Sequence, residues 1–106
     1  MALEASGTQT ATVGTEHTLA TLTTAKTFQL YVDLANLASG DVVELRVYLK
    51  VLSGGTSREA QYAVYSGVQG QPIVWSIPVM SDIEVKFTLD QTAGTGRSFP
   101  WKVLSP

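Results

Sequence analysis

Three segments of the sequence alternate between apolar and polar residues, and this alternation is the feature that most limits the possible folds. Aliphatic or aromatic side chains occupy every second position of residues 27–34, 43–51 and 83–89. A period of two places these side chains on one face of a strand, so each segment predicts a β-strand with one buried face. Three such strands indicate antiparallel sheets packed over a shared core.

Weaker strand patterns fill the rest of the chain, and residues that favour turns, mainly Gly, Ser, Asp and Pro, separate them. They lie at residues 8–13, 17–22, 60–65, 73–79 and 98–104. The spacing predicts an all-β fold, an antiparallel two-sheet sandwich of jelly-roll type with about seven or eight strands. The only helical pattern is one turn around residues 34–38, which Asp33 would cap and Gly40 would end.

The length of 106 residues is that of one domain. The first residues show no alternation, so we expect an N-terminal arm over residues 1–9 and a single β-sandwich domain over residues 10–106. Such an arm is either frayed or ordered only on another subunit.

Composition excludes several classes of function. The sequence has no cysteine, which rules out disulfides and thiolate metal sites. Its net charge is −2, and its basic residues are spread among acidic ones, so we expect no nucleic-acid partner. The N-terminus lacks a signal-peptide pattern, and no apolar run approaches the roughly 18 residues of a membrane span. We therefore expect a soluble protein without a membrane partner.

Residue types that carry catalysis or bind metals are present but not in productive patterns. His17 is the only histidine, so a catalytic dyad or zinc site lacks its partners, and a surface or packing role is expected. Asp33, Asp41 and Glu44 lack the alternating acidic loop typical of calcium sites. Turn formation by Asp41 and cross-strand pairing by Glu44 are the expected roles.

The glycine-rich segment at residues 93–97 resembles a phosphate loop in composition only. A phosphate-binding loop precedes a helix N-terminus, whereas the residues that follow here, 98–101, favour an extended strand. No serine lies in a Gly-x-Ser-x-Gly elbow. We expect a protein that is not an enzyme and that has no catalytic residues, metal ligands, cofactor or small-molecule substrate.

The aromatic residues indicate an interaction surface. Tyr31 and Tyr48 occupy polar faces of their strands, whereas Trp75 and Trp101 lie in apolar contexts and are expected in the core. Outward tyrosines on adjacent strands would form a flat amphipathic patch. Patches of this kind occur in protein interfaces and in sugar-binding platforms.

Residues 1–19, 36–46, 51–58 and 89–101 together resemble small virion-associated proteins of tailed bacteriophages, and the resemblance covers essentially the whole chain. It implies a capsid decoration, or cement, protein that is made in the host bacterial cytoplasm and binds the exterior of the assembled head shell. It implies the major capsid protein as partner. No catalytic or binding residue is transferred with it.

A cement protein needs a rigid body with adhesive surfaces, and self-association into dimers or trimers is a natural expectation for it. The candidate partner-binding residues are Met1, Leu3, Glu4, Tyr31 and Tyr48. One alternative is a carbohydrate- or receptor-binding module of a tail or fibre, which would use Tyr31, Tyr48 or an exposed tryptophan. A second alternative is a head–tail connector or completion protein, present in few copies per particle where decoration requires hundreds.

Overall fold

The computed structural model describes all of residues 1–106 and contains nine β-strands and no helix. The strands are β1 (Ala2–Thr10), β2 (Glu16–Leu22), β3 (Lys26–Asp33), β4 (Val42–Leu49), β5 (Arg58–Ser66), β6 (Ile73–Trp75), β7 (Val79–Ser81), β8 (Val85–Ala93) and β9 (Ser98–Ser105). The expected all-β two-sheet architecture is confirmed. No segment of the fold is a helix that could cross a membrane.

The strands form two antiparallel sheets with the pairing order of a jelly roll. Sheet A has the order β1-β9-β3-β6, with β7 also paired to β3, and sheet B has the order β2-β8-β4-β5. If β6 and β7 are counted as one interrupted strand, each strand of the first half pairs with the strand equally far from the other end: β1 with β9, β2 with β8, β3 with β6 and β7, and β4 with β5. This is the pairing of one long antiparallel ribbon rolled into two stacked sheets.

The core lies between the central strands of the two sheets. All three phenylalanines of the chain, Phe28, Phe87 and Phe99, are fully buried there, together with the inward aliphatic residues of β3, β4, β8 and β9. The apolar side chains whose alternation predicts these strands therefore face a shared core. The molecule is a slab of 41 × 29 × 18 Å, and the short dimension fits two sheets stacked about 10 Å apart.

The N-terminus is a strand, so the prediction of an arm over residues 1–9 is wrong. β1 pairs with β9 along its length, with a register shift between Leu3 and Ala5. At this shift, Glu4 accepts hydrogen bonds from Lys26 Nζ at 2.7 Å and Ser105 Oγ at 2.6 Å. The backbone of β9 supplies the partners for β1, and the sequence of residues 1–9 does not reveal that long-range pairing. Deleting these residues would remove a strand and expose the β9 edge.

The predicted strand at residues 73–79 is split into β6 and β7. Pro78 lies between them and has no N–H to donate to a sheet ladder. Ser76 occupies the gap: its N–H donates to Leu30 O at 2.9 Å, and its Oγ accepts from Leu30 N at 3.0 Å. This interruption accounts for nine strands where seven or eight were expected.

The expected helical turn at residues 34–38 is absent, and its place is taken by a tight turn. Leu37 N donates to Leu34 O at 3.0 Å, and Asp33 Oδ1 accepts from Ala35 N at 2.9 Å. Leu34 and Leu37 are fully buried, so the β3–β4 connection covers one end of the core. The segment is too short for a helix and is held instead by burial of its two leucines.

A buried carboxylate ties this connection to the β8–β9 turn. Asp41, only 1% exposed, accepts hydrogen bonds from Ala38 N at 3.0 Å, Thr95 N at 3.0 Å and Arg97 Nε at 2.8 Å. The backbone N–H groups of Ala38 and Thr95, together with the Arg97 guanidinium, hold the pKa of Asp41 below its ordinary value. Asp41 forms a turn as expected, and it also joins two loops that are distant in sequence.

Candidate functional site

The two candidate tyrosines lie on opposite sides of the molecule. Tyr31 is on β3 in sheet A, and Tyr48 is on β4 in sheet B. β3 and β4 follow one another in the chain but belong to different sheets, so their outward residues face away from each other. The expected single patch of outward tyrosines on adjacent strands is therefore wrong.

The outer face of sheet B is a connected polar network centred on Arg46. The guanidinium pairs with Glu44 of its own strand, with Glu59 Oε1 at 2.7 Å and with Asp90 Oδ2 at 3.7 Å. Arg46 Cζ also lies 5.0 Å from the centroid of the Tyr62 ring. Glu44 thus pairs within β4, and it also acts across strands, since burial and the Glu44 carboxylate raise the pKa of Tyr62 on β5. One guanidinium thus meets three carboxylates, so this face is polar and carries an excess of negative charge.

Tyr48 belongs to this network. Its hydroxyl donates to Glu16 Oε2 at 2.6 Å, and Lys86 Nζ lies 4.5 Å from its ring centroid. Burial opposes ionisation of Glu16, but the hydroxyls of Tyr48 and Thr88, together with the charges of Arg46 and Lys86, outweigh it, and the pKa of Glu16 is lowered. The same bond to Glu16 raises the pKa of Tyr48. With its hydroxyl already bound, Tyr48 has a structural role on this face.

The outer face of sheet A carries a row of side chains that crosses four strands. Ser6 on β1 lies opposite Lys102 on β9, Lys102 lies opposite Tyr31 on β3, and Tyr31 lies opposite Trp75 on β6. The Tyr31 and Trp75 rings are tilted with centroids 6.4 Å apart, and Lys102 Nζ lies 5.7 Å from the Tyr31 centroid. Trp75 is 62% exposed, which is unusual for a side chain this large.

Apolar residues flank this row and make it a continuous surface. Leu3 is 61% exposed and Ile73 is 49% exposed. A shallow depression of about 500 Å³ is lined by residues that include Leu3, Tyr31, Ile73 and Pro100. We call this surface the aromatic face and define it by Leu3, Tyr31, Ile73, Trp75, Pro100 and Lys102.

Hydrogen bonds hold the central ring of the aromatic face in place. Tyr31 donates its hydroxyl proton to Gln29 Oε1 at 3.0 Å, and Gln29 Nε2 donates to Ser76 O at 2.7 Å. Ser76 follows Trp75 directly, so one chain of bonds connects the two aromatic positions through the backbone. The face is therefore organised before any partner binds.

Of the five candidate residues, Leu3 and Tyr31 meet on the aromatic face. Met1 is 93% exposed and lines a smaller depression at the edge of sheet A that also includes Tyr31. Glu4 is held by Lys26 and Ser105, and these two bonds lower its pKa. Glu4 thus fastens β1 within the fold.

Trp75 and Ile73 are surface residues that the sequence pattern does not reveal. Trp75 was expected in the core, and that prediction is wrong: β6 turns Val74 inward, while Ile73 and Trp75 point outward. Trp101 does pack against the core and is half-buried. Alternation within residues 73–75 was the available signal, but three residues are too few to set a period.

The residues considered for chemistry are dispersed. His17 Nε2 accepts a hydrogen bond from Thr12 N at 3.0 Å. No group of three or more His, Cys, Asp or Glu side chains is arranged to hold a metal ion. The β8–β9 turn at residues 93–97 is organised by Asp41 and by the buried side chain of Gln91, whose Nε2 donates to Thr95 O at 2.7 Å.

Among known proteins, no family model matches the chain, and no curated protein is significantly similar to it.

Proposed function

We propose that this chain is a structural virion protein, a decoration or cement protein that binds the outside of an assembled head shell and stabilises it. The contrast between its two outer faces carries the proposal. Sheet A presents the apolar, rigid aromatic face, whereas sheet B presents a polar network in which one guanidinium meets three carboxylates. A protein that lies flat on a larger particle needs this combination of one adhesive face and one hydrated face.

The exposed apolar side chains of sheet A support a docking role. Contiguous apolar patches of several hundred Å² on a small protein typically mark interaction sites. Aromatic residues are enriched at the centres of such sites, and Trp75 and Tyr31 occupy the centre of this one. Because the hydrogen bond to Gln29 already fixes the Tyr31 side chain, docking costs little side-chain conformational entropy at this residue.

The resemblance to small virion-associated phage proteins supplies the partner, the major capsid protein. Simultaneous contact with several shell subunits would raise the avidity even where each contact is modest. Jelly rolls serve both viral capsid and lectin domains, so the fold alone does not choose between a shell partner and a sugar.

The test is binding to empty head shells assembled without this protein. Trp75→Ala is expected to weaken shell binding by about 30-fold, the effect of losing one central aromatic anchor. Leu52→Ala is the matched control, since Leu52 is a well exposed apolar residue outside the aromatic face. Bound copies per shell are measured by quantitative gel analysis across a concentration series. Equal binding of Trp75→Ala and the wild-type chain would refute docking through this face.

A second candidate function, a carbohydrate-binding module of a tail or fibre, is favoured by the tilted Tyr31–Trp75 pair. Exposed aromatic rings stack on the apolar faces of sugars, and Lys102 and Asp33 line the depression beside Tyr31, where they offer hydrogen-bonding groups to hydroxyls. The aromatic face is therefore suited to binding a sugar ring as well as an apolar protein surface.

Tryptophan fluorescence separates the two functions. The chain has two tryptophans, so Trp101→Phe leaves only Trp75 to report on the aromatic face. Titration with host cell-surface polysaccharide is expected to quench this variant if the face binds sugar. Absence of quenching, with shell binding retained, would exclude the carbohydrate function.

A further inference from the structure

One side of the sandwich is formed by a segment without charge. Residues 60–81 contain no Asp, Glu, Lys or Arg, a run of 22 residues in a chain that is 15% charged. The segment includes most of β5 and all of β6 and β7. It also carries seven of the 12 exposed large apolar residues, so apolar surface is concentrated on this side of the molecule.

Within this segment, β5 is a long edge strand whose residues 61–66 lack protection against pairing. Natural sheets protect their edges with bulges, proline, lysine or short strands. β1 and β2 each contain an irregularity of register, and β6 and β7 are three residues each, with Pro78 between them. β5 has an irregularity of its own between Glu59 and Gln61, but beyond it β5 pairs regularly with β4 over residues 61–66 and has no proline, glycine or lysine there. Its other side has no strand beside it.

We propose that β5 pairs antiparallel with β5 of a second copy of this chain, which joins the two copies of sheet B into one continuous eight-stranded sheet. The two-fold axis passes through Ala63, so Tyr62 of each copy lies opposite Val64 of the other. Both of these side chains point to the outer face of sheet B and are about half exposed. An aromatic residue opposite a β-branched one is a favourable cross-strand pair, and the symmetry forms it twice.

The charge distribution suits a second copy as the partner. In a two-fold contact a surface meets itself, so any charged cluster would face its own sign. In this register no charged residue lies opposite another: Glu59 falls opposite Gly67, and Arg58 falls opposite Val68. Self-pairing therefore carries no like-charge repulsion within the strand pair.

The exposed area is also sufficient. Tyr62, Val64, Val68 and Ile77 lie along this edge and are between 47% and 75% exposed. At about 150–250 Å² for a large side chain, they offer roughly 450 Å² of apolar surface. That is close to the apolar part of the roughly 800 Å² that each partner contributes to a standard interface. This self-pairing does not depend on the proposed shell partner.

Sedimentation velocity of the full chain tests the interface. At about 100 µM, where a micromolar dimer is nearly fully formed, the wild-type chain is expected to sediment at twice its monomer mass of 11.3 kDa. Val64→Lys is expected to weaken dimerisation at least about tenfold, because it places lysine on the edge. Val51→Lys, in the exposed β4–β5 connection, is the control and should remain dimeric. A wild-type chain that stays monomeric overturns the proposal. The proposal also fails if the chain does not pair with itself but accepts a strand from another protein. A Val64→Lys variant that dimerises normally overturns it as well.

A disulfide tests the register. Directly opposed residues in an antiparallel pair have Cα atoms about 4.5–5.5 Å apart, within the range that a disulfide spans. The chain has no cysteine, so Ala63→Cys introduces a single thiol that is expected to crosslink to itself under mild oxidation. Val51→Cys is the matched control. Crosslinking of Val51→Cys as fast as that of Ala63→Cys would refute pairing about Ala63.

Discussion

Replacing Phe87 with alanine is expected to lower the free energy of unfolding by about 3–5 kcal/mol, a large part of the stability of a domain this size. Phe87 lies on β8, which pairs with both β2 and β4 at the centre of sheet B, and its side chain is fully buried. Alanine would remove the ring and leave a cavity that the rigid sheets cannot close. Urea denaturation followed by far-UV circular dichroism measures the loss. The midpoint of thermal unfolding should fall by more than about 12 °C.

Trp75→Ala provides the comparison within the same chain. It removes a larger side chain, but one that is mostly in solvent, so its expected cost is below about 1 kcal/mol. The Trp75→Ala variant should therefore be folded in the shell-binding experiment. Comparable losses for Phe87→Ala and Trp75→Ala would contradict the assignment of Phe87 to the core and Trp75 to the surface.

The parts of the fold that the sequence predicts are those whose signal is local. β3, β4 and β8 were evident because burial of one face dictates alternation over seven or more residues. Even there, the ends differ. Val51 continues the alternation of β4, but the strand ends at Leu49 and Val51 is 84% exposed in the connection that follows.

The features that the sequence did not predict depend on pairing between distant segments. β1 becomes a strand because β9 is beside it, although its own residues do not alternate. Tyr31 and Tyr48 are separated because consecutive strands of a rolled ribbon belong to different sheets. Assigning an outward residue to one of two outer faces requires the strand order, which periodicity does not contain.

Asp41 illustrates the same limit at a single residue. Its position before a strand and after Gly40 predicts a turn, and that much is local. Its bonds to Thr95 and Arg97 join it to residues more than 50 positions away. These bonds make the β3–β4 connection and the β8–β9 turn a single unit.

Gly94→Ala is expected to disrupt this unit and to cost at least about 3 kcal/mol. Gly94 has φ of +89°, which side chains rarely adopt, and a Cβ there would lie 1.9 Å from Asp41 Oδ1. The Asp41 carboxylate would have to move away from the backbone N–H groups that donate hydrogen bonds to it. Because the carboxylate is buried, water cannot replace these donors. The free energy of unfolding from urea denaturation measures the effect.

Gly14→Ala separates the two causes. Gly14 has nearly the same φ, +87°, but no atom lies within 4 Å of the position a Cβ would take. Its expected cost is therefore the backbone strain alone, about 1–2 kcal/mol. The difference between the two variants isolates the displacement of Asp41, and the pKa of Asp41 should rise toward its ordinary value in Gly94→Ala only, since its stabilising N–H donors are lost there. Equal costs for the two substitutions, with the pKa of Asp41 unchanged, would show that this carboxylate does not hold the two loops together.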